Sequence, residues 1–179
     1  MAQGNIRSKA MNTLSIAQKN TDPLERLVNS DHPVLLRVLL ETLREDHATD
    51  TSHIPPLHRA VRLGIMEAVQ SLLQFGADPN EKNHLGEIPL HVAVRINRAD
   101  IVEILLPVSK VNTVSYYGLT PLHWACLFGY TSIVELLLLH GADPWIQAIE
   151  MDGLSPKDLA ELMGYKEILN LFDTLAPAY

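Results

Sequence analysis

The chain has 179 residues, of which 47% are hydrophobic, and its formal net charge is −7. This length and composition are typical of one folded domain with a buried core. The acidic excess disfavours a nucleic-acid partner, because it repels the phosphate backbone.

The N-terminal segment differs in charge from the rest of the chain. Residues 1–20 contain three basic residues and no acidic one, and we expect a flexible or partner-bound basic arm. They lack the continuous apolar run of a secretory signal, although an organelle import signal is a minority alternative. Two later patterns are typical of capped helix starts. They are the acid, proline and acid order at residues 22–25 and the position of Pro33 before the apolar run 34–40. We therefore predict an N-terminal helical cap over residues 21–49.

A repeat of about 33 residues occupies the remainder of the chain. Its prolines are Pro56, Pro89, Pro121 and Pro156, at intervals of 33, 32 and 35 residues. An alanine follows each proline by four residues, and a glycine or asparagine that can adopt a left-handed conformation follows by eight. Aliphatic pairs one helical turn apart then predict a second helix. The reversal residues are Gly64, Asn97, Gly129 and Gly164.

These residues resemble the ankyrin-repeat family over about residues 50–176, through three Pro-Leu-His recurrences and two Gly-Ala-Asp loops. The resemblance implies an all-α solenoid of helix-turn-helix units joined by hairpin loops. The chain departs from the family pattern where Pro55 and Ile88 replace threonine, and where the loop between Trp145 and Gly153 gains two residues. We predict repeats over 50–82, 83–114 and 115–149, followed by a C-terminal capping repeat over 150–179 with a charged outer face.

Few residues are candidates for chemistry. His58, His91 and His123 occupy matched positions, but equivalent side chains of stacked helices lie about 8 to 10 Å apart, too far to share a zinc ion. The resemblance implies that they form hydrogen bonds across the turn. Cys126 is expected to be a buried packing residue with poor reactivity. We find no zinc-ligand spacing, no phosphate-binding glycine loop and no catalytic set, so no cofactor or metal is expected.

The resemblance implies that partners contact the hairpin tips and the last two inner-helix positions of each repeat. Those positions are, on the inner helices, Arg62, Leu63, Arg95, Ile96, Leu127, Phe128, Leu162 and Met163, and, at the tips, His84, Leu85, Tyr116, Tyr117, Leu119, Met151 and Leu154. In repeats three and four they are mainly apolar and aromatic, which is typical of the centre of a protein interface. The alternative is that the longer fourth hairpin or the N-terminal arm covers them.

Four further side chains need an interpretation. Arg62 and Arg95 share a repeat position, and we favour solvated charges over a site for an acidic or phosphorylated partner group. Trp124 is expected to pack in the core rather than to be displayed. Trp145 replaces the asparagine of the Gly-Ala-Asp loop, for a reason that the sequence does not supply.

The sequence therefore predicts a non-catalytic module that binds a protein through the concave face of the stack, mainly in repeats three and four. A permanent structural subunit of a larger assembly is the alternative, and an enzyme is a distant third. No stretch approaches the roughly 20 apolar residues needed to cross a bilayer. A lone cysteine favours a reducing compartment, so we expect the cytoplasm, with the nucleus possible.

Overall fold

The computed structural model describes residues 54–149 and 153–175. The predicted arm, the N-terminal cap and Met151 lie outside these residues. Within them the chain forms helix pairs and no β-strand, which confirms the predicted all-α class. A short 3-10 helix, Leu106–Val108, follows the fourth helix. The α-helices are α1 (Pro56–Arg62), α2 (Met66–Gln74), α3 (Pro89–Arg95), α4 (Ala99–Leu105), α5 (Pro121–Phe128), α6 (Thr131–Leu139), α7 (Pro156–Met163) and α8 (Lys166–Leu175).

Each helix pair reverses at a residue in the left-handed conformation, as predicted. Gly64, Gly129 and Gly164 have φ values of 69°, 71° and 74°, and Asn97 has a φ of 57°. The next residue then donates its backbone N–H to the carbonyl of the repeated alanine, for example Tyr130 to Ala125 at 2.9 Å. The turn is therefore closed by a backbone bond as well as by the glycine or asparagine.

The helices form two layers with the core between them. α1, α3, α5 and α7 stack as the inner layer, and α2, α4, α6 and α8 stack as the outer layer. The aliphatic pairs of the outer helices face inward, and Val69, Val102, Val134, Leu105 and Leu137 are fully buried. Burying each such side chain contributes roughly 1.5 to 3 kcal/mol, so the repeated apolar stripe holds the two layers together.

A hairpin loop joins each pair of repeats. In the second repeat the Asn83 N–H donates to the Glu87 carbonyl at 2.9 Å, and in the third the Ser115 N–H donates to the Leu119 carbonyl at 2.9 Å. The third such closure is an isolated antiparallel bridge between Ala148 and Leu154. It spans two residues more than the other closures, so the predicted insertion lies inside the hairpin tip.

Asparagine side chains join the loops that follow the outer helices. Asn80 accepts from the Lys110 N–H at 2.7 Å, and Asn112 accepts from the Asp143 N–H at 2.8 Å and donates to the Gly141 carbonyl. Trp145 occupies the same position in repeat three, and its ring lies 5.1 Å from the Lys157 ammonium group. In repeat three a cation–π contact therefore takes the place of the asparagine bridge.

Candidate functional site

The three matched histidines connect successive repeats. His58, His91 and His123 each donate from Nε2 to a backbone carbonyl of the next hairpin, at 2.8, 3.0 and 3.3 Å. The acceptors are Glu87, Leu119 and Leu154. Each of the three rings is buried, and burial lowers the pKa of His58, His91 and His123, to about 4 for His91 and for His123. The Nε2 bonds of these neutral rings join each repeat to the next.

The residue before each helix decides whether the histidine is fully bonded. Nδ1 of His123 accepts from the Thr120 N–H at 3.0 Å, and Nδ1 of His91 accepts from the Ile88 N–H at 3.3 Å. Pro55 has no N–H, and Nδ1 of His58 has no hydrogen-bond partner among the described residues. Pro55 therefore removes the backbone donor in repeat one, whereas Ile88 keeps that donor but lacks the hydroxyl through which Thr120 contacts His123.

A metal or nucleophilic site finds no support in this part of the chain. Across residues 54–149 and 153–175, no three His, Cys, Asp or Glu side chains are grouped so as to hold a metal ion. Cys126 is fully buried, and burial raises the pKa of its thiol well above the usual range. The thiolate that a nucleophile needs is therefore suppressed.

The burial of Cys126 predicts a reactivity test. Ellman's reagent should react with the folded chain at a rate at least about 100-fold below that of an exposed thiol, because the thiolate is both scarce and shielded. The same preparation in urea is the control and should release one equivalent of product. Stoichiometric reaction of the folded chain within the mixing time would contradict this assignment.

Most of the predicted partner positions lie at the surface. Tyr116 and Tyr117 at the second hairpin tip expose 69% and 52% of their area, Phe128 exposes 43%, and Leu162 and Met163 expose 72% and 45%. The other predicted positions divide between exposed residues, which are Arg62, Leu63 and His84, and half-buried residues, which are Leu85, Ile96 and Leu127.

Two predicted tip residues lie instead at the base of a hairpin. Leu119 is buried at 6% exposure and Leu154 is half-buried. Both belong to the pairs that close their hairpins, and both carbonyls accept from a histidine of the preceding repeat. Their inclusion in an exposed patch is therefore wrong for Leu119 and only partly right for Leu154. Ile149, which we did not predict, lies beyond the closure and is 85% exposed.

Arg95 is not the solvated charge that the sequence suggests. Its Nη1 donates to Oε1 of Glu87 at 2.8 Å, and the Glu87 side chain is only 3% exposed. Asn83 donates to the other carboxylate oxygen at 3.3 Å. The carboxylate is thus buried with two donors, and Arg95 neutralises it.

Arg95 also contacts an aromatic stack on the inner layer. Its Cζ atom lies 5.8 Å from the centroid of the Trp124 ring. Trp124 and Phe128 are stacked with centroids 5.7 Å apart and planes 15° apart, and Tyr130 lies 5.5 Å beyond Phe128. We call Arg95, Trp124, Phe128 and Tyr130 the inner-face stack. Trp124 packs against the core, as expected, but as a half-buried residue it is also part of this surface.

The comparisons with known proteins agree with this architecture. The family model for ankyrin repeats, in three copies, matches residues 57–148. The chain belongs to the ankyrin-repeat family. Ankyrin repeats generally mediate protein–protein interactions, and ankyrin-repeat domains are typically non-catalytic.

Individual relatives resemble this ankyrin-repeat chain over part of their length. The transient receptor potential cation channel subfamily A member 1 of Drosophila melanogaster is 34% identical over 59% of this chain and 9% of its own length. The NF-kappa-B inhibitor alpha of Sus scrofa is 37% identical over 49% of this chain and 30% of its own length. The glycerophosphocholine phosphodiesterase gde1 of Schizosaccharomyces pombe is 29% identical over 86% of this chain and 13% of its own length.

The chain thus spans less than a third of each of these ankyrin-repeat relatives. Their names describe a channel, an inhibitor and a phosphodiesterase, so the shared part is the repeat architecture and not one activity. Among the residues described here, no helix is long and apolar enough to cross a membrane.

Proposed function

We propose that this chain binds a partner protein through its inner helices and hairpin tips, mainly in repeats three and four. The observation that carries the proposal is the exposure of five large apolar side chains there, at 43% to 72%; they are Tyr116, Tyr117, Phe128, Leu162 and Met163. Exposed apolar groups that lie together are rare on a surface that contacts only water, and they commonly mark protein interfaces.

The positions of these side chains support a single surface. Phe128 and Met163 end the inner helices α5 and α7, which pack directly against each other. Side chains at equivalent positions of packed helices are about 8 to 10 Å apart, within reach of one bound peptide segment. Tyr116 and Tyr117 extend the surface along the hairpin. The proposed site of action is the cytoplasm or the nucleus, where a free buried thiol is common.

The double variant Tyr117→Ala/Phe128→Ala tests this function. Each aromatic anchor at an interface centre contributes about 2 kcal/mol, so the affinity for a partner should fall by about 100-fold or more. Partners should be captured with the whole chain, identified by mass spectrometry, and their affinities then measured by calorimetry.

Leu139→Ala is the matched control. Leu139 is a large apolar residue with 61% exposure, but it ends the outer helix α6. Its loss should leave binding within about two-fold, since truncating residues outside the interface centre changes affinity little. Thermal unfolding of each variant separates binding from folding. A folded double variant with unchanged affinity would refute the proposal.

A further inference from the structure

We infer that Glu87, a buried residue that a partner cannot touch, is the positioning residue of the inner-face stack. Glu87 holds Arg95 against Trp124, so that Trp124 and Phe128 have fixed positions before any partner arrives. The value of this arrangement for binding rests on the proposed function, whereas the arrangement itself is testable without a partner.

The first step is the fixation of Glu87. Its backbone carbonyl accepts from His58 of the first repeat at 2.8 Å, and its backbone N–H donates to the Asn83 side chain at 3.0 Å. Its carboxylate accepts from Asn83 and from Arg95. Because these contacts come from the preceding repeat, the hairpin and α3, the carboxylate has one position.

The second step is the constraint on Arg95. An arginine at the end of a helix ordinarily has many rotamers, and its side chain loses rotamer entropy when it is fixed. Here the Arg95 side chain remains 35% exposed, so solvent alone would allow it to leave the surface. The 2.8 Å ion pair with a buried carboxylate opposes that movement, and a charge-assisted bond of this kind is stronger than a neutral one.

The third step connects Arg95 to the aromatic surface. The guanidinium lies 5.8 Å from the Trp124 ring, within cation–π range, and Trp124 stacks on Phe128. Phe128 is one of the proposed anchors. These contacts therefore connect the hairpin of repeat two, through α3, to the exposed end of α5. Fixing an anchor in advance lowers the entropy that binding would otherwise cost.

Acrylamide quenching of Trp124 fluorescence tests the inference in the whole chain. Trp145→Phe leaves Trp124 as the single tryptophan. Adding Glu87→Gln should raise the quenching constant about two-fold, because the guanidinium no longer covers the ring. Near-UV circular dichroism of the ring should weaken in parallel. The substitution removes charge but keeps the size of the side chain.

Two comparisons make the result specific. Glu103→Gln, an identical change at an exposed site of the outer helix α4, should leave the constant unchanged. Arg95→Gln should raise it as Glu87→Gln does, and the double variant should show no further rise, since both act through one contact. Additive rises, or an unchanged constant in folded Glu87→Gln, would overturn the inference.

The test also separates this inference from the proposed function. Quenching needs no partner, so a failure there leaves the binding surface untested and rejects only the role of Glu87. The converse outcome is that Glu87→Gln raises the quenching constant as expected while Tyr117→Ala/Phe128→Ala binds the partner with unchanged affinity. That pair of results would reject the binding surface and retain the role of Glu87.

Discussion

Replacing Arg95 with alanine is expected to lower the free energy of unfolding by about 3 kcal/mol, because it leaves the Glu87 carboxylate buried without its cation. Glu87 has a side-chain exposure of 3%, so solvent does not compensate the charge. Asn83 would remain as its only side-chain donor among the described residues. The expected cost is at the lower end for a broken buried pair, since Arg95 is itself 35% exposed and water can enter its place.

Removing the carboxylate instead of the cation should lower the free energy of unfolding by a smaller amount. Glu87→Gln leaves Arg95 without its carboxylate, but a half-exposed guanidinium can turn to solvent, so the expected cost is about 1 kcal/mol. Urea unfolding of both single variants and of the double variant gives the coupling free energy between Glu87 and Arg95. In the Glu87→Gln background Arg95→Ala should cost only about 1 kcal/mol. Equal costs of Arg95→Ala in both backgrounds would show that the ion pair does not stabilise the fold.

Stability should fall as the pH is lowered from 7 to 5, because buried histidines cannot easily take up a proton. Burial lowers the pKa of His91 and of His123 to about 4 in the folded chain, whereas the unfolded value is about 6.5. Between these values the unfolded state binds more protons than the folded state. Acidification therefore favours unfolding, and each histidine removes about 2 kcal/mol by pH 5.

This loss is large relative to the 5 to 15 kcal/mol that typically separates folded and unfolded domains. Urea unfolding at pH 7, 6 and 5 measures it above the range in which carboxylates ordinarily titrate. The variant His123→Gln cannot titrate and should reduce the pH dependence by about 2 kcal/mol over this range, whatever its own stability. Stability that is constant from pH 7 to pH 5 would contradict the assignment of neutral, buried rings.

The local features of each repeat were predictable because they depend on residues close in sequence. The spacing from Pro121 to Ala125 and Gly129 identifies a short helix and its left-handed end, and the φ values of the four reversal residues agree. The family pattern implied hydrogen bonds of the histidines across the turn, and His91 and His123 form them. The bonds from Nε2 to the next hairpin were not predicted. The Pro55 departure has a simple consequence, the unbonded Nδ1 of His58.

The binding surface was less predictable because exposure depends on the neighbouring repeat. Leu119 and Tyr116 are three residues apart, yet one closes the hairpin and is buried while the other is 69% exposed. No hydrophobicity pattern distinguishes them. The signal that could have separated them is the base position, since the carbonyl of Leu119 is the acceptor for the histidine of the preceding repeat.

Trp145 gives a second example of dependence on the next repeat. Asn80 and Asn112 bridge to the loop that follows the next outer helix, and residues 153–175 contain no equivalent loop. A tryptophan at this position instead takes the Lys157 ammonium over its ring, and Lys157 also approaches Asp173 at 3.5 Å. The same position thus makes a different contact in repeat three than in repeats one and two.

By itself, the sequence determined the family, the reversal residues and the inward face of each helix, because periodicity records these in segments of about 33 residues. Tertiary structure decided the partner of Arg95, the half-exposed position of Trp124, the burial of Leu119 and the use of Trp145. Glu87 lies within the same repeat as Arg95, but the hairpin brings it to the helix, and Trp124 belongs to the next repeat. Contacts of this kind form only when hairpins fold back and repeats stack, so no pattern within one repeat contains them.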